Sequence, residues 1–224
     1  VERAEEEMNL KIQVISGEEE AQLILQGVRQ AVDFPPGMAM VMDIGGGSTE
    51  VLLVKDGVAQ YAHSFQLGSS LLLEKFRPSD PIKEEDKEAM EKHIQDVFRP
   101  LHEAVEKYGR PQLLIGSSGS FDTLADMCVA NFGTTEKPEK SFQYNFELEE
   151  YRQMAKRMLD RSIEERLSTP GMGPRRADMI VAACIMINYV LDTLAIDKLS
   201  QCTYALKEGV YYSIQENKFP WPKS

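Results

Sequence analysis

Met40-Val-Met-Asp-Ile-Gly-Gly-Gly-Ser-Thr-Glu50 sets the architecture of this chain. Met38 to Ile44 is an almost uninterrupted apolar run, the pattern of a strand buried on both faces, and it delivers one carboxylate, Asp43, at its carboxyl end. Three glycines follow. Gly45, Gly46 and Gly47 let the main chain turn so that several N–H groups can face one anion, and Ser48 and Thr49 add hydroxyl donors. A carboxylate beside a bound phosphate needs a cation between the two, so Asp43 next to this loop implies Mg²⁺ or a similar hard ion. A P-loop would need Gly-Lys-Ser/Thr, and a dinucleotide fingerprint would open a helix after its glycines. Here a second strand, Glu50 to Lys55, follows directly, and a plain hairpin rarely needs three successive glycines.

Beyond this run, Asp56-Gly57 is a hairpin signal between the second strand and a third, Val58 to Leu67. Upstream, Ile12 to Ile15 reads as a short strand. Ser16-Gly17 and the acids Glu18, Glu19 and Glu20 then open a helix, where its dipole favours negative charge. Downstream, an apolar stripe at helical spacing runs from about Glu84 to Tyr108, with a kink expected at Pro100. Leu113 to Ile115 is another buried strand, closing on Gly116-Ser-Ser-Gly119 and a helix from Phe121 to Val129. Asn131 to Ser141 is polar and loop-like. Glu147 to Leu159, Ile163 to Ser168, Arg175 to Leu194 and Ala205 to Glu216 read as helices, with Lys198 to Cys202 as a last strand. Strand, hairpin, helix, strand, helix is an α/β pattern with a mixed sheet. No internal repeat or low-complexity segment interrupts it.

The chain has 224 residues, 42% of them hydrophobic, enough to bury an ordinary core and too many for disorder. A net charge of -11 argues against broad contact with nucleic acid or an anionic membrane. It does not exclude an anionic substrate held by main-chain N–H groups and a cation. Cys128, Cys184 and Cys202 lie far apart and form no zinc-type spacing, so a reducing cytoplasm is expected. His63, His93 and His102 share no metal-like spacing. Met179 and Met186 belong to an apolar core helix, and Trp221 lies in a Pro-flanked tail. Arg175 and Arg176 are the cations best placed for a long anionic chain, with ordinary surface solvation an equal alternative.

Taken in order, Val14-Ile-Ser-Gly-Glu-Glu-Glu-Ala21, the Asp43–Glu50 run, Phe65-Gln-Leu-Gly-Ser69, Gly116-Ser-Ser-Gly119, the stretch from Thr169-Pro-Gly through Arg175-Arg-Ala-Asp178, and Ala205-Leu-Lys-Glu-Gly209 resemble the exopolyphosphatase and guanosine pentaphosphate phosphohydrolase (Ppx/GppA) family. The resemblance covers about Ile12 to Ser213. It implies a ribonuclease H-like lobe of the actin, sugar-kinase and heat-shock ATPase superfamily, with a mixed sheet and additional helices. It also implies release of terminal phosphate from inorganic polyphosphate or guanosine pentaphosphate with a divalent cation. By the same resemblance Glu20 is the general base, and Asp43 and Glu50 serve the metal. Gly45, Gly46, Gly47, Ser48 and Thr49 bind phosphate, as do Gly116, Ser117, Ser118 and Gly119.

Two positions depart from the family pattern. Gln22 stands where an Arg is common, and Cys202-Thr-Tyr204 replaces a Ser-Asp-Gly type run. No DxGSNS-type loop precedes Ile12, so residues 1–23 are expected to be the end of an absent N-terminal lobe and the start of an interlobe helix. Residues 24–216 would form the second lobe and 217–224 a tail, and such an incomplete catalytic module is expected to turn over little alone. A nucleotide-dependent kinase or ATPase of the same superfamily, and a non-catalytic polyphosphate or alarmone sensor, are the competing readings. Pairing of two copies is left open.

Overall fold

The computed structural model describes residues 2–8, 12–133 and 141–216. Among them six strands form one sheet: β1 (Met38–Ile44), β2 (Thr49–Lys55), β3 (Val58–Phe65), β4 (Leu113–Ser117), β5 (Gln143–Phe146) and β6 (Lys198–Cys202). The order is β3-β2-β1-β4-β6-β5. β1, β2 and β3 form an antiparallel meander, β4 and β6 extend it in parallel with β1, and β5 closes the far edge antiparallel to β6. The mixed sheet is therefore the one the sequence predicts. The β2–β3 turn has Asp56 and Gly57 at φ 50° and 76°, the left-handed pair that matches the twist of a tight hairpin.

The helices are α1 (Glu2–Met8), α2 (Gly17–Val28), α3 (Ser69–Phe76), α4 (Glu84–Val97), α5 (Arg99–Tyr108), α6 (Gly119–Phe132), α7 (Leu148–Asp160), α8 (Ile163–Leu167), α9 (Met179–Thr193) and α10 (Leu206–Gln215). They cover the two faces of the sheet unequally. Strand alternation sends Met38, Met40, Met42 and Ile44 into a large cluster with residues of α3, α4, α5, α6, α7 and α9. Ala39 and Val41 go to a smaller one with Ala21, Ile24, Leu25 and Val28 of α2. β1 is buried along its whole length for this reason. α9 is buried without a break from Ile180 to Ile187, so it runs through the larger core instead of lying over it. On the other face α2 and α10 touch backbone to backbone: a Cβ on Gly209 would lie 1.7 Å from the Leu23 carbonyl oxygen.

Several expectations need correction. Ile12 to Ile15 forms no strand among the described residues, where Ile12 and Val14 are exposed. The long stripe from Glu84 is two helices, α4 and α5, broken at Phe98, two residues before Pro100. Proline has no N–H for the Asp96 carbonyl and its ring crowds that turn. The helix placed at Arg175 starts at Met179, whose N–H donates to the side chain of the cap residue Asp178 at 2.7 Å. α3 and β5 are elements beyond those the sequence pattern predicts. Residues 134–140 of the polar loop and the tail with Trp221 lie outside the described residues.

Candidate active site

The register of the sheet sets one row of residues across it. Ser64 of β3 pairs with Glu50 of β2, Glu50 with Asp43 of β1, Asp43 with Ser117 of β4, and Ser117 with Cys202 of β6. Directly opposed residues share a face, and this row follows the alternation that sends Val41, Leu52 and Ile115 toward α2. It lies at the carboxyl ends of β1, β4 and β6, where ligands of open α/β sheets bind. The strands thus bring Asp43, Glu50 and Ser117 together and add Ser64, for which the sequence carries no local signal.

Hydrogen bonds tie the row. Ser64 Oγ donates to Glu50 Oε1 at 2.6 Å, and Ser117 Oγ and Ser118 Oγ both donate to Asp43 Oδ2, at 3.0 and 2.8 Å. Asp43 Oδ1 accepts no hydrogen bond among the described residues. Both carboxylates are buried, Asp43 6% exposed and Glu50 2%, with no Lys or Arg paired to them among those residues. Burial pushes the Asp43 carboxyl above its ordinary range; the two serine hydroxyls oppose that, and the charges of Glu50 and Asp122 add to it.

α2 brings the third carboxylate. Ser16 caps the helix through a reciprocal box: its hydroxyl accepts from Glu19 N–H at 3.2 Å, and Glu19 Oε2 accepts from Ser16 N–H at 2.7 Å. Glu19 is spent on that cap and Glu18 is exposed. Glu20, half-buried, has its carboxyl raised by burial first and then by the charges of Glu50 and Asp43. The structure therefore separates the three acids that composition leaves equivalent. Gly17 fixes the approach, since a Cβ there would lie 2.4 Å from Ser64 Cβ.

The glycine loop is supported from behind by α3. Gly45 N–H closes the turn on the Ser48 carbonyl at 2.9 Å; Ser69 N–H donates to the Gly45 carbonyl and Ser70 N–H to that of Gly46, each at 3.0 Å. These peptides are trans, so the N–H groups of Gly46 and Gly47 point away from α3, toward the exposed side of the loop. Outward main-chain N–H groups of this kind can meet an anion. Ser48 is half-buried in the turn. Thr49 differs from expectation: it is fully buried and its hydroxyl donates to the Leu67 carbonyl, so it braces the loop and offers no outward donor.

The second loop joins β4 to α6. Ser118 has φ 72° and ψ 175°, a region essentially reserved for glycine, at a cost of about 1–3 kcal/mol. Gly116 and Gly119 flank this pair of serines. The Arg176 guanidinium lies against Gly119, where a Cβ would come 2.1 Å from Nη2. No carboxylate pairs with Arg176 among the described residues, so of Arg175 and Arg176 it is the second that reaches the loop. Cys202 is fully buried, and burial pushes its thiol up to about 12; Thr203 beside it is exposed and Tyr204 half-buried. Gln22 is exposed on α2.

The donor set fits a hard divalent cation. Ionising Asp43 and Glu20 opposes folding, a stability contribution present at acid pH and lost as pH rises through their raised pKa values. A cation beside Asp43 Oδ1 and Glu50 would offset that. No group of three or more metal-ligating side chains exists among the described residues, so water and substrate oxygens would complete the shell, as Mg²⁺ commonly allows. No helix among the described residues is long and apolar enough to cross a membrane.

Similar proteins share this architecture. The crystal structure of an exopolyphosphatase from Cytophaga hutchinsonii is 36% identical with a TM-score of 0.90, covering 96% of this chain and 69% of that one. A Ppx/GppA family member from Aquifex aeolicus is 24% identical with a TM-score of 0.79, covering 98% and 69%. A type II crystal variant of the Aquifex aeolicus Ppx/GppA phosphatase is 26% identical with a TM-score of 0.74, covering 95% and 68%. The α/β sheet is thus that of the actin-like superfamily. Residues 1–218 match the sequence pattern of the same family, and the chain belongs to the Ppx/GppA phosphatase family.

Proposed function

We propose that the protein is a phosphoanhydride hydrolase that releases terminal phosphate from inorganic polyphosphate or guanosine pentaphosphate. The observation that carries this reading is the paired, buried carboxylates Asp43 and Glu50, whose charge Glu20 feels, at the strand end that leads into the Gly46 and Gly47 N–H groups. The 36% identical exopolyphosphatase supports the choice of substrate.

Glu20 accepts a proton from the attacking water as its oxygen bonds to the terminal phosphorus, and the bridging P–O bond breaks on the opposite side. The negative charge spread over the transferring phosphoryl group is met by the Gly46 and Gly47 N–H groups and by Arg176. Asp43 and Glu50 would hold Mg²⁺, which when bound neutralises phosphate charge. Glu20 acts as a base only when ionised, and burial and its neighbours raise its pKa. Turnover therefore falls as pH drops through a value above that of an ordinary glutamate.

Phosphate release from each substrate, measured against pH with Mg²⁺ in the full-length protein, tests this. Glu20→Gln should lower kcat by about 10²–10⁴-fold while polyphosphate still binds. Lost binding with no change in the bound-state rate would make Glu20 structural.

A further inference from the structure

We propose that Ser118 is a positioning residue for Asp43 and that its hydroxyl makes no contact with substrate phosphate. This deepens the hydrolase reading and rests on it for the role of Asp43. Three observations carry it. Ser118 holds a backbone conformation, φ 72° and ψ 175°, that glycine would adopt without strain, yet the loop places glycine at 116 and 119 and a side chain at 118. The one feature the side chain adds is a hydroxyl, and its single proton is donated to Asp43 Oδ2 at 2.8 Å. Ser117 donates to the same oxygen at 3.0 Å, so both hydroxyls hold one edge of the carboxylate and leave Oδ1 for a ligand. A hydroxyl already donating to a buried carboxylate has no proton left for a phosphate oxygen. Any contact from residue 118 to phosphate is made by main chain.

Ser118→Gly and Ser118→Ala separate the two halves of this claim, because both lose the hydroxyl and only the first relieves the backbone. Ser118→Gly should melt about 2–4 °C above Ser118→Ala, the reverse of the usual order of these residues. In the full-length protein both should lower kcat on polyphosphate about tenfold with KM within about twofold, the loss typical of removing a partner behind a metal-binding carboxylate. A rise in KM at unchanged kcat would overturn the proposal and make the hydroxyl a phosphate donor.

A cycle of Ser118→Ala and Asp43→Asn, followed by thermal unfolding without substrate or cation, reads their coupling independently of turnover. A non-additive shift of about 2 °C or more is expected. Additive shifts together with wild-type kcat in Ser118→Ala would overturn the proposal. Coupling present in a protein that hydrolyses neither substrate would leave the Ser118–Asp43 pair standing and remove the hydrolase reading instead.

Discussion

The two glycine and serine loops at the carboxyl edge of the sheet use the same residue types to opposite ends. In the first, Gly45 to Ser48, the tip is left open: a Cβ on Gly47 would meet nothing within 4 Å, and the N–H groups of Gly46 and Gly47 have no main-chain partner among the described residues. In the second, Gly116 to Gly119, glycine lets atoms in. The Phe121 ring lies where a Gly116 Cβ would be, 2.0 Å from its nearest atom, and the Arg176 guanidinium occupies the corresponding space at Gly119. One loop leaves main-chain N–H groups open, and the other packs a guanidinium against Gly119 and turns two hydroxyls onto Asp43. Glycine content marks both as close-approach sites, and only the neighbours say what approaches.

The contrast between the loops can be undone most severely from behind the first. A Cβ on Gly68 would lie 2.2 Å from the Gly46 carbonyl oxygen and 2.4 Å from Gly47 N, all main chain that cannot swing aside. Gly68→Ala should therefore cost about 3 kcal/mol and lower Tm by roughly 6–12 °C in a melting experiment. An unchanged Tm would mean that α3 does not hold the loop. Next in size is Gly119→Ala, where the clash is with the flexible end of Arg176. The fold should survive, with Tm within about 3 °C, while KM for polyphosphate rises roughly tenfold or more from a lost charge-assisted contact. A kinetically silent variant would take Arg176 out of the site. The smallest effect on the fold is Gly47→Ala, with Tm expected within about 1–2 °C because the position is open. Weaker phosphate binding, measured by titration, would then come from the added methyl group meeting the ligand.

Much of the site is legible along the chain because its signals are local. A doubly buried strand leaves a continuous apolar run, which places β1 and the carboxylate at its end within a residue. Glu18, Glu19 and Glu20 are legible only as three acids in a first turn; the family resemblance picks out Glu20, and the cap made by Glu19 and the burial of Glu20 are seen only in the fold. Ser64 cannot be found from local signals either. It matters only because β2 and β3 pair in a register that sets it against Glu50, and register is a property of two segments. β5 escapes a sequence reading because Gln143 to Phe146 is four residues of alternating polar and aromatic character, too short to separate from loop. Ile12 to Ile15 shows the converse: an apolar run becomes a strand only where another strand takes its hydrogen bonds. Thr49 resembles a ligand donor in the sequence because composition cannot tell which way a hydroxyl faces.

The row from Ser64 through Glu50 and Asp43 to Ser117 crosses four strands, and a slip of one residue in any strand would turn its member to the opposite face. A chain misregistered in this way could still bury much of its apolar surface and pass as folded by size or helix content. It would have lost a carboxylate or a hydroxyl from the site. Under the proposed hydrolase role, specific activity in a preparation would count correctly threaded sheets, serving as a proofreading measure that bulk spectroscopy of the same sample does not supply.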